Sequence, residues 1–325
     1  MDYLERRKIA TRDGVAYALE KLGEKNKDIV VLDADLSEST KTSAFRKKFP
    51  SRFFECGIAE CNMVGVAAGL CCVGKIPFVA SFAIFVAGRA FEQIRNSVCY
   101  TNLNVKIIGS HAGFSSAEDG ATHQAIEDIA ILRAVPNIVL LSPCDFFETV
   151  AAIYKAAEHK GPVYIRTSKF LVEQINDAEY VKKFEIGKAN ILKKGKTVCL
   201  FATGVEVFFS LKAAEMLEAD GISTMVVNFS TIKPLDKELI LDVAKNVEFL
   251  FTVEEHNIIG GLGEAISSFL SEIEPKRVNK IGIKNRFGES GKAEELLKKN
   301  GLDEIGIYKK IKEVVFNKVY DESYL

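Results

Sequence analysis

Glu60 is an isolated carboxylate in a stretch of small and apolar residues that runs from Cys56 to Val73. It follows a short strand-like run at residues 52–55, and it lies where a helix of small residues is predicted to begin. A first-turn glutamate commonly does no more than favour the positive end of the helix dipole. Alternatively, a carboxyl group that is kept away from water can hold a proton for use in chemistry. Periodicity alone favours the first interpretation.

Other side chains suited to chemistry follow the predicted strands of the first half. Short apolar runs at residues 28–33, 75–80, 104–109 and 162–165 are typical of buried strands. The polar and aromatic residues that come after these runs are Asp35, Ser39, Phe82, Phe85, His111, Asp119, His123, Arg166 and Lys169. Taken singly, each is better explained as a turn, core or surface residue. Their joint placement argues for a site, because ligands of a parallel sheet bind outside the carboxyl ends of its strands.

The elements that must position these residues form an alternating series. One helix is predicted at about residues 88–100, and another is opened by a capping box at Ser142–Asp145. Strands separated by helices indicate a doubly wound sheet, and the series repeats after a polar connector. The sequence therefore predicts an α/β chain with two consecutive doubly wound, mainly parallel sheet domains. The first is expected at 1–172 and the second at 190–325, with a linker at 173–189.

A glycine-containing loop in the second half invites comparison with nucleotide-binding proteins. Gly260, Gly261 and Gly263 follow a predicted strand at 247–253 and open a helix. A third glycine at the spacing of the dinucleotide-binding fingerprint is missing, so a tight turn is the better interpretation. A nicotinamide-dependent dehydrogenase would rest on this loop and the fold class alone. The intervening Glu254, Glu255 and His256 are expected to be interface or structural residues.

Composition excludes several classes of function. The chain has 325 residues and a net charge of −1, so the electrostatic footprint of a nucleic-acid-binding protein is not expected. No uninterrupted apolar run approaches the ~20 residues that span a bilayer. The seven cysteines lie mostly in apolar surroundings, which predicts buried thiols in a reducing cytoplasm. With four histidines in all, a metal site built by this chain alone is not expected.

Several of these motifs together resemble the transketolase family. The run from Gly57 to Glu60, followed by a small-residue helix, resembles the family's cofactor-activating motif. The run from Ser81 to Phe85 is similar to the aromatic segment that packs the aminopyrimidine ring of thiamine diphosphate. The segments 118–120 and 122–124 match the substrate channel in order and spacing. Ala10-Thr11-Arg12 before a helix resembles the start of the pyrimidine-binding domain.

The resemblance implies a role for each candidate residue. The residues implied to face the cofactor are Glu60, Phe82, Phe85 and Asp35. Those implied to bind a sugar phosphate are Arg12, Ser39, His111, Asp119, His123 and Lys169, and the ones implied to act in catalysis are Glu60, His111 and His123. The family usually has arginine at the position of Lys169, which keeps the charge without the bidentate fork, and Arg166 could compensate. The spacing at residues 86–89 departs by about one residue, and a tyrosine sometimes found there is absent.

The implied activity is transfer of a two-carbon ketol unit from a ketose phosphate to an aldose phosphate. Thiamine diphosphate is the implied cofactor, and Mg²⁺ accompanies it. The family's amino-terminal domain holds the magnesium and diphosphate with a Gly-Asp-Gly signature, which this sequence does not contain. We therefore expect the carboxyl-terminal subunit of a split transketolase. It would require a separate amino-terminal subunit that holds most of the Mg²⁺ site, self-associate into a heterotetramer, and bind neither nucleic acid nor membrane.

Alternative functions remain open at this point. Deoxyxylulose-phosphate synthase shares the glutamate motif but tends to have a basic residue other than histidine at the position of His111. The β subunit of 2-oxo-acid dehydrogenases has this size but lacks the run found at 118–124. A non-catalytic paralogue is the third alternative, and the joint presence of Glu60, Phe82, Asp119 and His123 speaks against it.

Overall fold

The computed structural model describes residues 8–322, with side chains through residue 316. Residues 1–7 and 323–325, at the outer ends of the two predicted domains, lie outside the described residues. Three sheets are present in this part of the chain. The strands are β1 Lys8–Ala10, β2 Ile29–Asp33, β3 Phe53–Glu55, β4 Ile76–Phe82, β5 Lys106–Ser110, β6 Val139–Leu141, β7 Val163–Arg166, β8 Leu171–Glu173, β9 Asn190–Lys193, β10 Val198–Ala202, β11 Thr224–Asn228, β12 Thr231–Lys233, β13 Phe249–Asn257 and β14 Val278–Ile283.

Helices alternate with these strands along the chain. They are α1 Thr11–Lys25, α2 Ser37–Thr40, α3 Ser43–Lys48, α4 Glu60–Cys72, α5 Asp128–Arg133, α6 Phe146–Glu158, α7 Tyr180–Lys183, α8 Glu206–Ala219, α9 Lys237–Asn246, α10 Leu262–Ile273, α11 Ala293–Asn300 and α12 Glu304–Glu322. None of the helices within residues 8–322 is both long and apolar enough to cross a membrane.

The first sheet has seven strands in the order β12-β6-β7-β5-β4-β2-β3. All its neighbours are parallel except β12 and β6. The second sheet, in the order β14-β13-β10-β11-β9, is parallel except for β9 at its edge. β1 and β8 form a separate antiparallel pair. The predicted fold class, two doubly wound and mainly parallel sheets, is confirmed.

Burial on both faces explains why the central strands are apolar runs. Every residue of β2, β5 and β10 is buried, as expected for parallel strands covered by helices on both sides. Each sheet has one hydrophobic cluster on each face. Leu32 and Val31 belong to the two clusters of the first sheet, and Leu200 and Phe201 belong to those of the second.

Two helix predictions need correction. The helix predicted to open at Ser142 begins at Phe146, and Asp145 itself is its N-cap, accepting a hydrogen bond from the backbone N–H of Glu148 at 2.8 Å. Residues 88–100 are not a regular α-helix, because Phe85–Arg89 and Gln93–Tyr100 are π-helical. A π-helical turn takes up one extra residue. This gives a physical reason for the one-residue departure in spacing at 86–89.

The strand predicted at 247–253 continues to Asn257, so Glu254, Glu255 and His256 lie within β13 and are buried. The Glu254 carboxylate accepts hydrogen bonds from the backbone N–H groups of Leu262 (2.7 Å) and Gly263 (2.9 Å) at the start of α10. Burial raises the pKa of Glu254 to about 7, although these two bonds oppose the shift. Glu254 is thus a helix cap supplied by a neighbouring strand.

Replacing Glu254 by alanine is expected to lower the free energy of unfolding by about 1–3 kcal/mol, because two buried donors lose their acceptor. Urea unfolding monitored by circular dichroism measures the change. Glu272→Ala, at an exposed position of the same helix, is the control and should stay within about 0.5 kcal/mol of the parent. Equal effects of the two substitutions would contradict this assignment.

The predicted burial of the cysteines is only partly correct. All seven thiols are free. Cys99, Cys144 and Cys199 are buried, whereas Cys61 and Cys72 are exposed on α4. Their neighbours on this helix are small or apolar, so the local sequence could not distinguish an exposed face from a buried one.

Candidate active site

Glu60 is the first residue of α4, directly after the loop that leaves β3, and its side chain is 1% exposed. Within the part of the chain that the structure describes, the carboxylate has two polar partners. Arg89 Nη1 donates to Oε2 at 2.9 Å, and Ser81 Oγ donates to Oε1 at 3.4 Å. The loop after β3 therefore delivers one carboxyl group into the interior at the carboxyl edge of the first sheet.

Aromatic rings form a cluster at the same edge. Phe82 ends β4, and its ring stacks on that of Phe85 with centroids 5.8 Å apart. His111 lies 4.1 Å from the Phe82 ring, and His123 meets the Phe85 ring edge-on at 5.1 Å. Four of the predicted site residues thus contact one another. Together they provide an apolar wall with two imidazoles beside it.

Arg89 connects the carboxyl group to this wall, and the sequence analysis did not identify it. Its guanidinium carbon lies 4.4 Å from the centroid of the Phe85 ring, while Nη1 contacts Glu60. The side chain is 49% exposed, so one end of the ion pair is dry and the other faces solvent. The irregular spacing at 86–89 was the available signal, since the π-helical turn puts Arg89 one turn beyond Phe85.

Arg12, Ser39 and His111 form a second group. Arg12 Nη1 donates to the carbonyl oxygen of Ser39 and contacts Nε2 of His111, both at 3.0 Å. Because arginine has no acceptor, Nε2 must accept this bond, which puts the imidazole proton on Nδ1. Nδ1 then donates to Ser110 Oγ at 2.9 Å. His111 is therefore a neutral imidazole held at both nitrogens.

Burial, together with the nearby charges of Arg12, Lys169 and Lys41, lowers the pKa of His111 to about 3. Unfolded histidine titrates near the ordinary value of 6.5. The neutral site therefore stabilises the fold fully above about pH 6.5, and this contribution is lost as the pH falls toward about 3. His111 should remain neutral throughout the physiological range.

We expect the unfolding free energy to fall less between pH 7.5 and pH 5 (chosen to bracket the unfolded pKa of ~6.5) in His111→Asn than in the parent. The asparagine variant no longer has a buried group that gains a proton on unfolding. Urea titrations at the two pH values, compared between parent and variant, measure the difference. The same pH dependence in both proteins would show that folded His111 takes up its proton over this pH range as unfolded histidine does, which would contradict the lowered pKa.

Other predicted residues lie further out. Asp35 is exposed with φ +60°, and its N–H donates to Glu55 Oε1 at 2.8 Å. Asp119 is exposed at the end of the turn Gly113–Asp119, and no hydrogen bond or ion pair within the described residues joins it to His111 or His123. Lys169 lines a cavity of about 350 Å³.

Arg166 is not available to compensate for Lys169, so that expectation was wrong. Its side chain is buried, and Nε donates to the Asp128 carboxylate at 3.0 Å. Nη2 donates to the carbonyl oxygens of Ala125 (3.2 Å) and Glu255 (2.9 Å). With these donors committed to internal acceptors, Arg166 joins the first sheet to β13 and has no fork to offer a phosphate.

Asp33, at the end of the predicted strand at residues 28–33, is a further residue that was not among the candidates from the sequence. It is buried at the end of β2, and its carboxylate accepts from the N–H of Leu36 (2.7 Å) and the hydroxyls of Thr40 (2.7 Å) and Thr42 (2.8 Å). Burial raises its pKa to about 6, against the effect of these bonds. The loop that carries Asp35 and Ser39 is anchored by this group.

This arrangement suits a planar nitrogen heterocycle. Glu60 offers a buried acceptor, and the Phe82 and Phe85 rings offer an apolar surface for stacking beside it. Among the residues whose side chains are described, no group of three or more His, Cys, Asp or Glu could hold a metal ion.

Comparison with known protein families agrees with the geometry. The family model described as the transketolase pyrimidine-binding domain matches residues 7–174, and that of the transketolase C-terminal domain matches residues 187–307. A putative transketolase C-terminal section from Methanocaldococcus jannaschii is 50% identical over 303 residues, which cover 93% of this chain and 95% of that protein.

Two further relatives differ in length. A solved split-gene transketolase, an inactive β4 tetramer, superposes with a TM-score of 0.87 at 49% identity and covers 94% of this chain and 98% of that one. Human transketolase is 39% identical over 312 residues. That match covers 95% of this chain but 49% of the human protein. The chain thus spans about half of a full-length relative.

Proposed function

The chain belongs to the transketolase family, and we propose that it is the carboxyl-terminal subunit of a split, thiamine-diphosphate-dependent transketolase. It would transfer a two-carbon ketol unit from a ketose phosphate to an aldose phosphate. The observation that carries the proposal is the buried Glu60 carboxylate at the edge of the stacked Phe82 and Phe85 rings, with His111 packed against Phe82.

When bound, thiamine diphosphate would supply a nucleophilic carbon, the chemistry that ketol transfer from a ketose phosphate requires. Glu60 would hydrogen-bond the pyrimidine N1′ and share a proton with it, as a carboxyl group held in a dry site can. Phe82 would stack on the ring, which is worth about 0.5–1.5 kcal/mol beyond burial. Because Arg89 Nη1 now donates to Glu60 Oε2, it would have to give up that oxygen to the pyrimidine.

The second group of residues would bind the sugar phosphate. Arg12 and Lys169 are two of the three cations whose charge acts on His111, and with Ser39 they would bind the phosphate by charge-assisted hydrogen bonds. His111 and His123 would bind sugar hydroxyls and move protons during cleavage of the adjacent carbon–carbon bond. Because Nε2 of His111 accepts from Arg12, His111 would have to give up that bond in order to bind a hydroxyl. Asp35 would face the cofactor and Asp119 a hydroxyl of the sugar.

The site proposed here is incomplete without a partner. The match to about half of human transketolase and the likeness to a split-gene enzyme support a separate amino-terminal subunit. That subunit would hold the diphosphate and most of the Mg²⁺ coordination, for which carboxylate, carbonyl and phosphate oxygens are required together. We propose a heterotetramer in the cytoplasm, where the seven free cysteines would stay reduced.

Reconstitution tests this function. The chain is assayed alone and with the amino-terminal subunit, with thiamine diphosphate and Mg²⁺, using a ketose phosphate donor and ribose 5-phosphate. Mass spectrometry should detect an acceptor lengthened by two carbons only in the two-subunit sample. Turnover by this chain alone would refute the split site. Decarboxylation of pyruvate in place of ketol transfer would favour a synthase or dehydrogenase subunit, and a complex inactive toward all these substrates would favour a non-catalytic paralogue.

A further inference from the structure

Residues 111–124, called here the substrate segment, have an unusual backbone. His111 has φ +57°, and Ala117 has φ +49° with ψ −107°. Gly113 and Gly120 also have positive φ, at +63° and +78°. Residues other than glycine persist in such conformations only where the surrounding structure over-determines them. The segment that carries His111, Asp119 and His123 must therefore be held from outside.

Part of that support comes from Glu255, which belongs to the second domain. Glu255 is buried in β13, and its Oε1 accepts a hydrogen bond from the backbone N–H of Phe114 at 2.7 Å. The approach is close, since a Cβ added at Gly113 would lie 2.2 Å from the Glu255 carboxyl carbon. Arg166 fixes β13 on the other side by donating to the Glu255 carbonyl oxygen at 2.9 Å.

The side chain of Phe114 is anchored in the same domain. It is 1% exposed and packs into the hydrophobic cluster built from β10, β13 and α8, together with Leu200 and Phe251. One residue of the substrate segment is therefore held by the second domain through both its backbone and its side chain. The segment cannot move at this point without opening that cluster.

The far end of the segment meets a loop of the second domain. Gln124 Nε2 donates to the Glu289 carbonyl oxygen at 2.9 Å and to that of Ala117 at 3.2 Å. A Cβ added at Gly288 would lie 1.6 Å from Gln124 Oε1, and one added at Gly120 would lie 2.5 Å from Ser290 Oγ. Residues 288–290, called here the clamp loop, thus lie directly against residues 120 and 124.

We propose that Glu255 and the clamp loop are positioning elements for sugar-phosphate recognition, so that the second domain sets the geometry of His111, Asp119 and His123 without touching the sugar. This inference rests on the proposed function and extends it. Glu255 fixes the segment near its beginning, and the clamp loop fixes its end. Neither contacts Glu60 or Phe82 within the described residues, so cofactor binding should not depend on them.

Gly288→Ala is the first test. The added methyl group displaces Gln124, whereas Gly291→Ala, in the same part of the chain, meets only the flexible end of Leu296 at 3.3 Å. In the reconstituted complex, Gly288→Ala should raise KM for the sugar phosphate about 10- to 100-fold, the effect expected of a misplaced binding group. Cofactor affinity, measured by calorimetry, should stay within about twofold, and Gly291→Ala should match the parent in both.

A double-mutant comparison with Gln124→Ala tests whether Gly288→Ala acts through Gln124. In the Gln124→Ala background the clash partner of Gly288 is gone, so adding Gly288→Ala should cause little further rise in KM. Full additivity of the two substitutions would overturn the proposed contact. An unchanged KM in Gly288→Ala would overturn the role of the clamp loop.

Glu255 is tested by a pair of variants. Glu255→Ala removes the acceptor of the Phe114 N–H, and Glu255→Gln retains a carbonyl oxygen in its place. Hydrogen exchange at residues 113–119 of the assembled complex should speed up at least tenfold in the alanine variant (one lost hydrogen bond, ~1.4 kcal/mol per tenfold) and recover in the glutamine variant. KM should follow the same order. Unchanged exchange and KM in Glu255→Ala would overturn the positioning role.

The two proposals fail in different ways. A parent complex that transfers no ketol unit removes the proposed function and, with it, the inference about sugar recognition. An active parent whose Gly288→Ala and Glu255→Ala variants bind sugar phosphate as tightly as the parent removes only the positioning role. Hydrogen exchange is measured without substrate, so it reports on the contact in either case.

Discussion

The assembled enzyme carrying Glu60→Gln is expected to lose about 10²- to 10⁴-fold in kcat, the range typical when a positioned acid or base is removed. Glutamine has nearly the shape of glutamate and can still hydrogen-bond a pyrimidine nitrogen, but it cannot exchange a proton with it. The dissociation constant of thiamine diphosphate should therefore change far less than kcat. Single-turnover kinetics together with calorimetric titration of the cofactor separate the two quantities.

Two controls accompany Glu60→Gln. Glu158→Gln changes an exposed carboxylate at the end of α6, away from the carboxyl edge of the sheet, and should leave kcat unchanged. Arg89→Gln removes the cation from Glu60 without changing the carboxyl group. If Glu60→Gln retained the parental kcat in a complex that assembles normally, Glu60 would not be the proton-sharing group of the active site.

A second large effect is expected from Arg12→Ala, which should raise KM for phosphorylated sugars about 10- to 100-fold. This corresponds to the loss of one charge-assisted hydrogen bond, worth about 1.5–3 kcal/mol. Acceptors that lack the phosphate group should be affected much less, because Arg12 has nothing to bind on them. Initial rates with matched phosphorylated and unphosphorylated acceptors measure the contrast.

Arg12 also donates a hydrogen bond to Nε2 of His111. The loss of phosphate binding in Arg12→Ala must therefore be distinguished from an indirect effect on the position of His111. Arg12→Lys keeps the charge but not the fork, and it should recover part of the affinity for phosphate. Arg277→Ala, at an exposed position of the second domain, controls for the general loss of a positive charge. An equal rise in KM for phosphorylated and unphosphorylated acceptors would show that Arg12 acts by positioning His111 and not by binding the phosphate.

Alternation of short apolar runs with helical segments was enough to predict the fold class. The runs around Leu32, Val79 and Ile107 are buried on both faces, and no other element suits a run of that length and composition. Edge strands are harder to foresee because their pairing is set by distant parts of the chain. β9 is short and only partly buried, and nothing in its sequence indicates that it runs antiparallel to β11.

Part of the candidate site could also be predicted from the strand pattern. Glu60 and Phe82 follow their strands directly, so the rule for carboxyl ends brings them to the same edge. Arg89 was not predicted as a site residue, because periodicity arguments assume a regular α-helix. In the π-helical turn at Phe85–Arg89 a different residue faces the carboxylate of Glu60. Arg166 was wrongly expected to compensate for Lys169, and no specific role was predicted for Glu255. The roles of both residues depend on contacts between the two halves of the chain. Charge in a sequence does not show whether a side chain will be buried in an ion pair.

One feature of the first sheet limits how this chain can be divided. β12, from the second half of the chain, pairs with β6, with Thr231 opposite Leu141, and Ile232 packs into the hydrophobic cluster of the first sheet. A fragment cut within 173–189 would leave β6 with a row of unpaired backbone groups, which invites self-association. Chimaeras that exchange the halves of two such enzymes should therefore carry residues 230–233 with the amino-terminal half, or the recombined proteins will aggregate when expressed.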